Sequence, residues 1–421
     1  MIDHTRPAEY TIDRIRFTHD GRSFTGRGLL TWDPDKGPHI QAFLDQSAPQ
    51  ENPFASLGVV QVETAADTKA IRLAGRGLGH AIVPNVFPLD LREHLHHGRL
   101  SIHPERVIFI HHVPSFASGG EDHKMWSGSA VFITKTEPEF PDRLNTETTL
   151  NGQLIASQNR GGLCFEEPEG FSVWGRKTAE GEFTISWALP RATTTKAQAS
   201  HWAEAARRAL SILFSQTVWI AKSSATRGVT EITELRRRKE ARTLSHHLCP
   251  LTDFGPPDQW QFNRSAFIQL TRFFACEHPH AEICWSIFRR LAEASHHDTW
   301  GSRELLAGTT LEAALRTLDN HPFKPGDHTW KIKQSLASFR QNHLDAAWEK
   351  ACDKALQARN RLRHRNAHPD WITSSGGAFS KPEWCQSIED LTFLSRFYGY
   401  MILALAGFKP LQPRFPVVRF K

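Results

Sequence analysis

The chain predicts an α+β protein in two parts, an N-terminal β-rich, sandwich-like domain followed by an all-helical bundle. Two patterns carry that prediction. Apolar residues alternate or cluster in short β-branched runs over about residues 10–190, whereas from about residue 260 they recur at helical spacing almost throughout. Between the two, the segment 250–258 with Pro256-Pro257 marks a boundary, giving domains of 1–255 and 260–421.

The strands come first. Tyr10-Thr11-Ile12-Asp13-Arg14-Ile15-Arg16-Phe17 is near-alternating, and 28–32 runs into the turn Asp33-Pro34-Asp35-Lys36-Gly37. Val59-Val60-Gln61-Val62 and Val107-Ile108-Phe109-Ile110 are β-branched runs, and further strands are expected at 130–134, 152–156, 171–174 and 183–187. Many short strands parted by Gly, Pro and Asp favour a sandwich or barrel over a parallel sheet. Near residue 196 the period changes. Trp202, Ala205, Ala206, Leu210, Leu213 and Phe214 line one face of a helix over 197–214. A short strand at 217–221 returns from it, and Arg236-Arg237-Arg238-Lys239 forms a basic block, either charged surface or linker.

The second part predicts helices at 265–277, 281–295, 302–319, 328–368 with a break near 340, and 382–408. The long apolar stretch 391–408 carries Arg396 inside it and predicts a core helix rather than a membrane span. The Pro-interrupted basic tail 410–421 is expected to brace a neighbouring element.

At 421 residues each part is long enough to bury its own core. The net charge of +6 admits a polyanionic partner without demanding one. Six cysteines without a CxxC pair argue against a disulfide scaffold and fit a reducing cytoplasm. The first residues contain no basic stretch followed by an apolar run, so no secretory leader is expected. The chain has no P-loop, GxGxxG or GxSxG, which argues against nucleoside-triphosphate and hydrolase-elbow chemistry.

The run Arg359-Asn360-Arg361-Leu362-Arg363-His364-Arg365-Asn366-Ala367-His368 bears most directly on chemistry, with four arginines and two histidines in ten residues. An apolar stripe of Trp348, Cys352 and Leu356 leads into it and continues, at helical spacing, to Arg359 and Arg363. One helix face therefore begins apolar and ends in guanidinium groups. His364 and His368 neighbour each other at i, i+4, and Pro369 places His368 at or just past the helix end. Arginine presents a planar, permanently charged fork to phosphate oxygens, and histidine moves protons near neutral pH. Together they point to a phosphodiester; the competing reading is a solvated basic helix end that complements the helix dipole by about 0.3–1 kcal/mol per cation.

Arg363-His364-Arg365-Asn366-Ala367-His368 resembles the R-polar-x-x-x-H motif of HEPN ribonucleases, and Arg359-Asn360 with His364 offers an overlapping second register. Over the whole chain, Gly28-Leu29-Leu30-Thr31, the segment from His201-Trp202-Ala203-Glu204 to Ser211, and Arg303-Glu304-Leu305-Leu306 running on to Leu311-Glu312-Ala313-Ala314-Leu315 resemble the ApeA-like proteins, which join a β-rich N-terminal domain to a C-terminal HEPN domain. That resemblance implies a metal-independent endoribonuclease of anti-phage abortive infection, with the N-terminal half sensing a phage-derived trigger or gating the activity. Arg363, His368 and His364 would then be catalytic. Arg359, Asn360, Arg361, Arg365 and Asn366 would bind RNA, tRNA being one candidate. The resemblance also implies a homodimer through the helical domain, because one histidine does not easily serve both sides of a phosphorus. No membrane partner is expected.

No cofactor or metal is expected, since no acidic cluster neighbours the motif. Cys276-Glu277-His278-Pro279-His280 with Cys284 has zinc-like residue types at a spacing that matches no common finger. His246-His247-Leu248-Cys249 is similarly weak, and His96-His97 and His111-His112 are expected to be surface pairs. Glu312 is a candidate partner for an arginine. The alternative to the ribonuclease is a non-catalytic nucleic-acid-binding or dimeric scaffold protein, and a third reading is a β-sandwich ligand-binding module.

Overall fold

Side chains that alternate across the pleat of extended backbone set the first part of the molecule. A computed structural model describes residues 5–19, 22–46, 71–75, 79–83, 95–96, 99–112, 125–135, 142–150, 153–167, 170–179, 181–227, 230–248, 263–276, 278–319, 329–367, 381–409, 411–413 and 415. The strands are β1 (Ala8–His19), β2 (Arg22–Asp33), β3 (Gly37–Gln46), β4 (Ile71–Gly75), β5 (Gly79–Val83), β6 (Leu95–His96), β7 (Arg99–Ile102), β8 (Arg106–His112), β9 (Met125–Ile133), β10 (Asp142–Leu150), β11 (Gln153–Glu166), β12 (Ser172–Ala179), β13 (Glu182–Pro190), β14 (Trp219–Arg227) and β15 (Thr230–Arg236). They form one antiparallel sheet in the order β10-β11-β12-β13-β9-β14-β15-β8-β5-β4-β1-β2-β3-β7-β6. The sheet curls, so that β3 approaches β8 and β15, its distant neighbours in strand order. The expected sandwich is thus a single sheet folded over its own core, as the right-handed twist of many short strands favours.

The expected strand at 59–62 and the boundary segment 250–258 lie outside the described residues. The strand expected at 217–221 runs instead as Trp219–Arg227, and pairs with both β9 and β15. Asp142–Leu150 had no strand signal in the sequence. It is polar apart from Leu144 and Leu150, and among the described residues it pairs with β11 alone, as the end strand of the sheet.

The helices are α1 (Lys196–Phe214), α2 (Arg264–Ala275), α3 (Ala281–His296), α4 (Trp300–Asp319), α5 (Thr329–His343), α6 (Glu349–Ala367) and α7 (Lys381–Leu405). Thr195 starts α1 with a capping box: its hydroxyl accepts from Gln198 N–H, and the Gln198 side chain accepts from Thr195 N–H. The long segment expected at 328–368 breaks after His343, where Asp345 caps a short 3₁₀ turn by accepting from Ala347 N–H.

The sheet contributes to two large cores, with a small third cluster of Val131, Ile133 and Ala221. Ile12, Leu30, Ile40, Leu73, Leu100 and Phe109 belong to one, between the curled strands β1–β5, β7 and β8. The other joins the inner faces of β9 and β11–β13 through Trp202 of α1 to Phe267, Phe288, Leu311, Trp348, Leu362 and Phe397 of the helical part. Trp187 and Trp202 meet with ring centroids 4.9 Å apart, where α1 lies on the sheet. Phe415 of the tail stacks on Phe393 at 4.2 Å, which braces α7. The basic block is pinned surface. Arg236 bonds Glu234 at 2.9 Å, Arg238 bonds Glu182 at 3.0 Å and Lys239 bonds Glu105 at 2.8 Å.

No helix of the described residues is long and apolar enough to cross a membrane.

Candidate functional site

Helix α6 carries most of the candidate residues, and α4 and α7 hold it in place. Ala355, Ala358 and Leu362 are buried against these neighbours. At Gly308 of α4 a side-chain carbon would lie 3.4 Å from the Arg359 carbonyl oxygen and 3.5 Å from the Arg363 nitrogen, so the two helices cross there with room for little more than a methyl group between their backbones. One turn further along α4 stands Glu312, and the crossing aims its carboxylate at the arginines of α6.

Glu312 Oε2 accepts from Arg359 Nη2 at 2.7 Å and from Arg363 Nη1 at 3.3 Å, while Oε1 accepts from Arg316 Nη2 at 2.5 Å. Three guanidinium groups thus meet one carboxylate, and the cluster keeps a positive excess. The arginines differ in access. The Arg359 side chain is 3% exposed, and Arg363 is 46% exposed. Arg359 Nη1 also donates to Asn360 Oδ1 at 2.7 Å, and its Nε is buried with no partner. Arg359 therefore works as a buried strut between α6 and α4, with Arg363 one turn beyond it at the surface.

Arg361 takes the other flank. Its Nε and Nη2 donate to Asp390 Oδ2 and Oδ1 of α7 at 2.8 and 2.6 Å, a bidentate pair, and Gln386 adds a bond at 3.2 Å. The hydrogen bond to Asp390 raises the Arg361 pKa above its ordinary value. Beneath the site, Ser387 donates to the buried Glu304 and accepts from Trp300 Nε1 at 2.8 Å, which ties α7 to α4. The Tyr398 hydroxyl donates to the Ala307 carbonyl at 2.6 Å, and burial raises its pKa.

The structure brings Arg359 and Arg363 together on Glu312, ties Asn360 to Arg359 and sets Arg361 apart on Asp390. His364, Arg365 and Asn366 continue the helix backbone of α6 to Ala367. His368 lies outside the described residues. Glu312 was legible as a partner, and its i, i+4 spacing to Arg316 is a helix-surface signal. Asp390 was missed, and Glu304 was named within a matching segment without a role at the site. Asp390 follows Glu389 and Glu304 follows Arg303 in the sequence, so local order did not mark either as buried.

The described members of the competing sites make other contacts, and Glu277 and Cys249 lie outside the described residues. Cys276 Sγ accepts from Gln198 Nε2 at 3.2 Å, whereas Cys284 is buried and its thiol pKa is raised by that burial. His246 Nδ1 bonds the Thr392 hydroxyl at 3.0 Å. Burial, then His247 and Arg303, push the His246 pKa down to about 4. Among the described residues no three His, Cys, Asp or Glu side chains converge to hold a metal ion. No protein-family model, curated protein or solved structure matches the chain.

Proposed function

We propose that this chain is a metal-independent endoribonuclease, with Arg363 and His368 as its catalytic pair and His364 beside them. In RNA the 2′-hydroxyl is a built-in nucleophile. Its oxygen attacks the adjacent phosphorus, a histidine takes its proton, the 5′-oxygen leaves with a proton, and the products are a 2′,3′-cyclic phosphate and a 5′-hydroxyl. Arg363 neutralises charge that grows on the phosphoryl oxygens. One such donor is worth about 10²–10³ in rate.

The observation that carries this reading is the contrast between Arg359 and Arg363 on Glu312. The buried strut positions, and the exposed guanidinium remains free to turn toward a phosphate. The contrast favours the Arg363/His368 register over Arg359/His364, because a 3%-exposed guanidinium cannot meet an RNA strand. Homodimerisation through the helical part would place a second histidine on the far side of the phosphorus. A role in anti-phage abortive infection, with the β-rich part sensing a trigger, follows from the resemblance alone.

A second reading has its own observation. Arg359, Arg361 and Arg363 all contact carboxylates, the pattern of a basic helix end held for structure, as in a non-catalytic nucleic-acid-binding or scaffold protein. Purified protein incubated with total RNA in EDTA, with 5′-hydroxyl ends mapped, separates the two. Wild type should cut, and Arg363→Ala and His368→Ala should each lose about a hundredfold or more. Equal cutting by all three, or none by wild type and variants in the presence of phage lysate, leaves the scaffold reading.

A further inference from the structure

The outer face of β1-β2-β3-β7 is open to water, and its rows follow from the strand register. Leu30, Ile40 and Ile102 point into the core, so Arg27, Phe43 and Arg99 form one outward row, Leu29, Gln41 and Ser101 the next, and Thr31 and His39 a third. Phe43 is 66% exposed, the most of any large apolar side chain among the described residues, although Ala42 and Leu44 on either side of it are core. The Arg99 guanidinium carbon lies 5.3 Å from the Phe43 ring centroid, and Arg27 stands opposite Phe43 on β2. In the third row His39 stacks on His103 with centroids 4.0 Å apart and planes 8° from parallel, and His39 Nε2 bonds the Ser101 hydroxyl at 3.0 Å.

We infer that this face binds single-stranded RNA, with Phe43 as a stacking platform for one base and Arg27 and Arg99 on the flanking phosphates. The inference deepens the ribonuclease reading by naming a surface that holds the strand, and it rests on that reading for the choice of RNA. The chemistry favours a nucleic acid over a protein partner. A lone ring between two cations, with Leu29 as the other apolar side chain of these rows, is a poor hydrophobic interface core, which is depleted in charge. The pairing of a π-face with guanidinium groups is what an unstacked base and its phosphates fit. Among the β1 residues facing these rows, Glu9 neighbours Thr31, and Asp13 and Arg14 sit at the bulge opposite Arg27 with opposite charges. A ring that projects from a sheet reaches only a base outside a duplex stack. Rows on one face repeat about every 6.7 Å, two residues of strand, a spacing an extended nucleotide backbone can follow. Thr31, Gln41 and Ser101 supply donors and acceptors for 2′-hydroxyls.

Fluorescence anisotropy tests this on the full-length His368→Ala chain, so that binding is read apart from cutting. The probes are a fluorescein-labelled uridine-rich single strand, the same RNA annealed to its complement, and a DNA strand of matching sequence. Phe43→Ala should weaken single-strand RNA binding roughly tenfold and Phe43→Tyr should restore it. Arg27→Gln with Arg99→Gln should lower the slope of log affinity against log salt by about 1.4. Unchanged binding by Phe43→Ala, or equal binding of the duplex or the DNA strand, overturns the proposal. Persistent cutting by His368→Ala sinks the catalytic assignment while leaving dependence on Phe43 to be read independently.

Discussion

Glu312 concentrates the consequences of the site in one side chain. It is the carboxylate partner of Arg359, whose guanidinium is buried, and it also holds Arg363 and Arg316. Removing one member of a buried ion pair leaves the other charge desolvated, which typically costs about 3–5 kcal/mol. Glu312→Ala should lower stability by that order in a urea melt at neutral pH, and Arg363→Ala by less than about 1 kcal/mol, because an exposed pair contributes little. A Glu312→Ala chain as stable as Arg363→Ala would mean that Arg359 finds solvent or Asn360 instead. The two variants also separate positioning from chemistry: on the proposed ribonuclease reading, Arg363→Ala should lose RNA cleavage in a chain that still melts like wild type.

At the scale of elements, helix α7 is fixed by close backbone approach. A side-chain carbon at Gly399 would lie 1.9 Å from the Leu248 carbonyl oxygen, far inside contact distance. The chain at 244–248 crosses α7 there and is itself anchored: Leu248 N–H donates to the Ser215 hydroxyl at 2.8 Å, and Ser215 adopts the left-handed conformation that ends α1, with φ of 51°. Gly399→Ala should therefore force one backbone off the other and destabilise by about 1–3 kcal/mol or more, although alanine is the better helix former. A thermal midpoint unchanged or raised by Gly399→Ala would show that the 244–248 crossing yields without cost. The crossing at Gly308 is looser, since a side-chain carbon there would make ordinary contact at 3.4 Å, and it is where α4 meets α6 and delivers Glu312 to its arginines.

For the molecule as a whole, half-buried histidines make acid the weak side. His246 titrates near 6.5 when unfolded and near 4 in the fold, with burial the first cause and His247 and Arg303 adding to it. Between those values only the unfolded chain binds the proton, so stability present above about 6.5 is lost as pH falls toward about 4, by roughly 3 kcal/mol from this group. His247, lowered by burial and then by Arg396, adds in the same direction. Urea midpoints measured across that window should fall, and His246→Gln should flatten the fall. An equal slope in His246→Gln would place the acid sensitivity elsewhere.

Strand-like alternation, the change of period near residue 196 and the helical spacing beyond 260 were legible in the sequence, because each element buries one face and that requirement writes itself into local order. So was the stripe from Trp348 through Cys352 and Leu356 to Arg359 and Arg363, an apolar face ending in charge. Curling of the sheet, the edge strand at Asp142–Leu150, and the second core running from β9 and β11–β13 through α1 into the helices were decided by tertiary structure, since strand partners far apart in sequence leave no local periodicity. The arginines show the division most clearly. Spacing placed Arg359 and Arg363 on one face, but only the crossing of α4 over α6 at Gly308 made the first a buried strut on Glu312 and left the second at the surface, because burial depends on the neighbour that covers a face and not on the face itself.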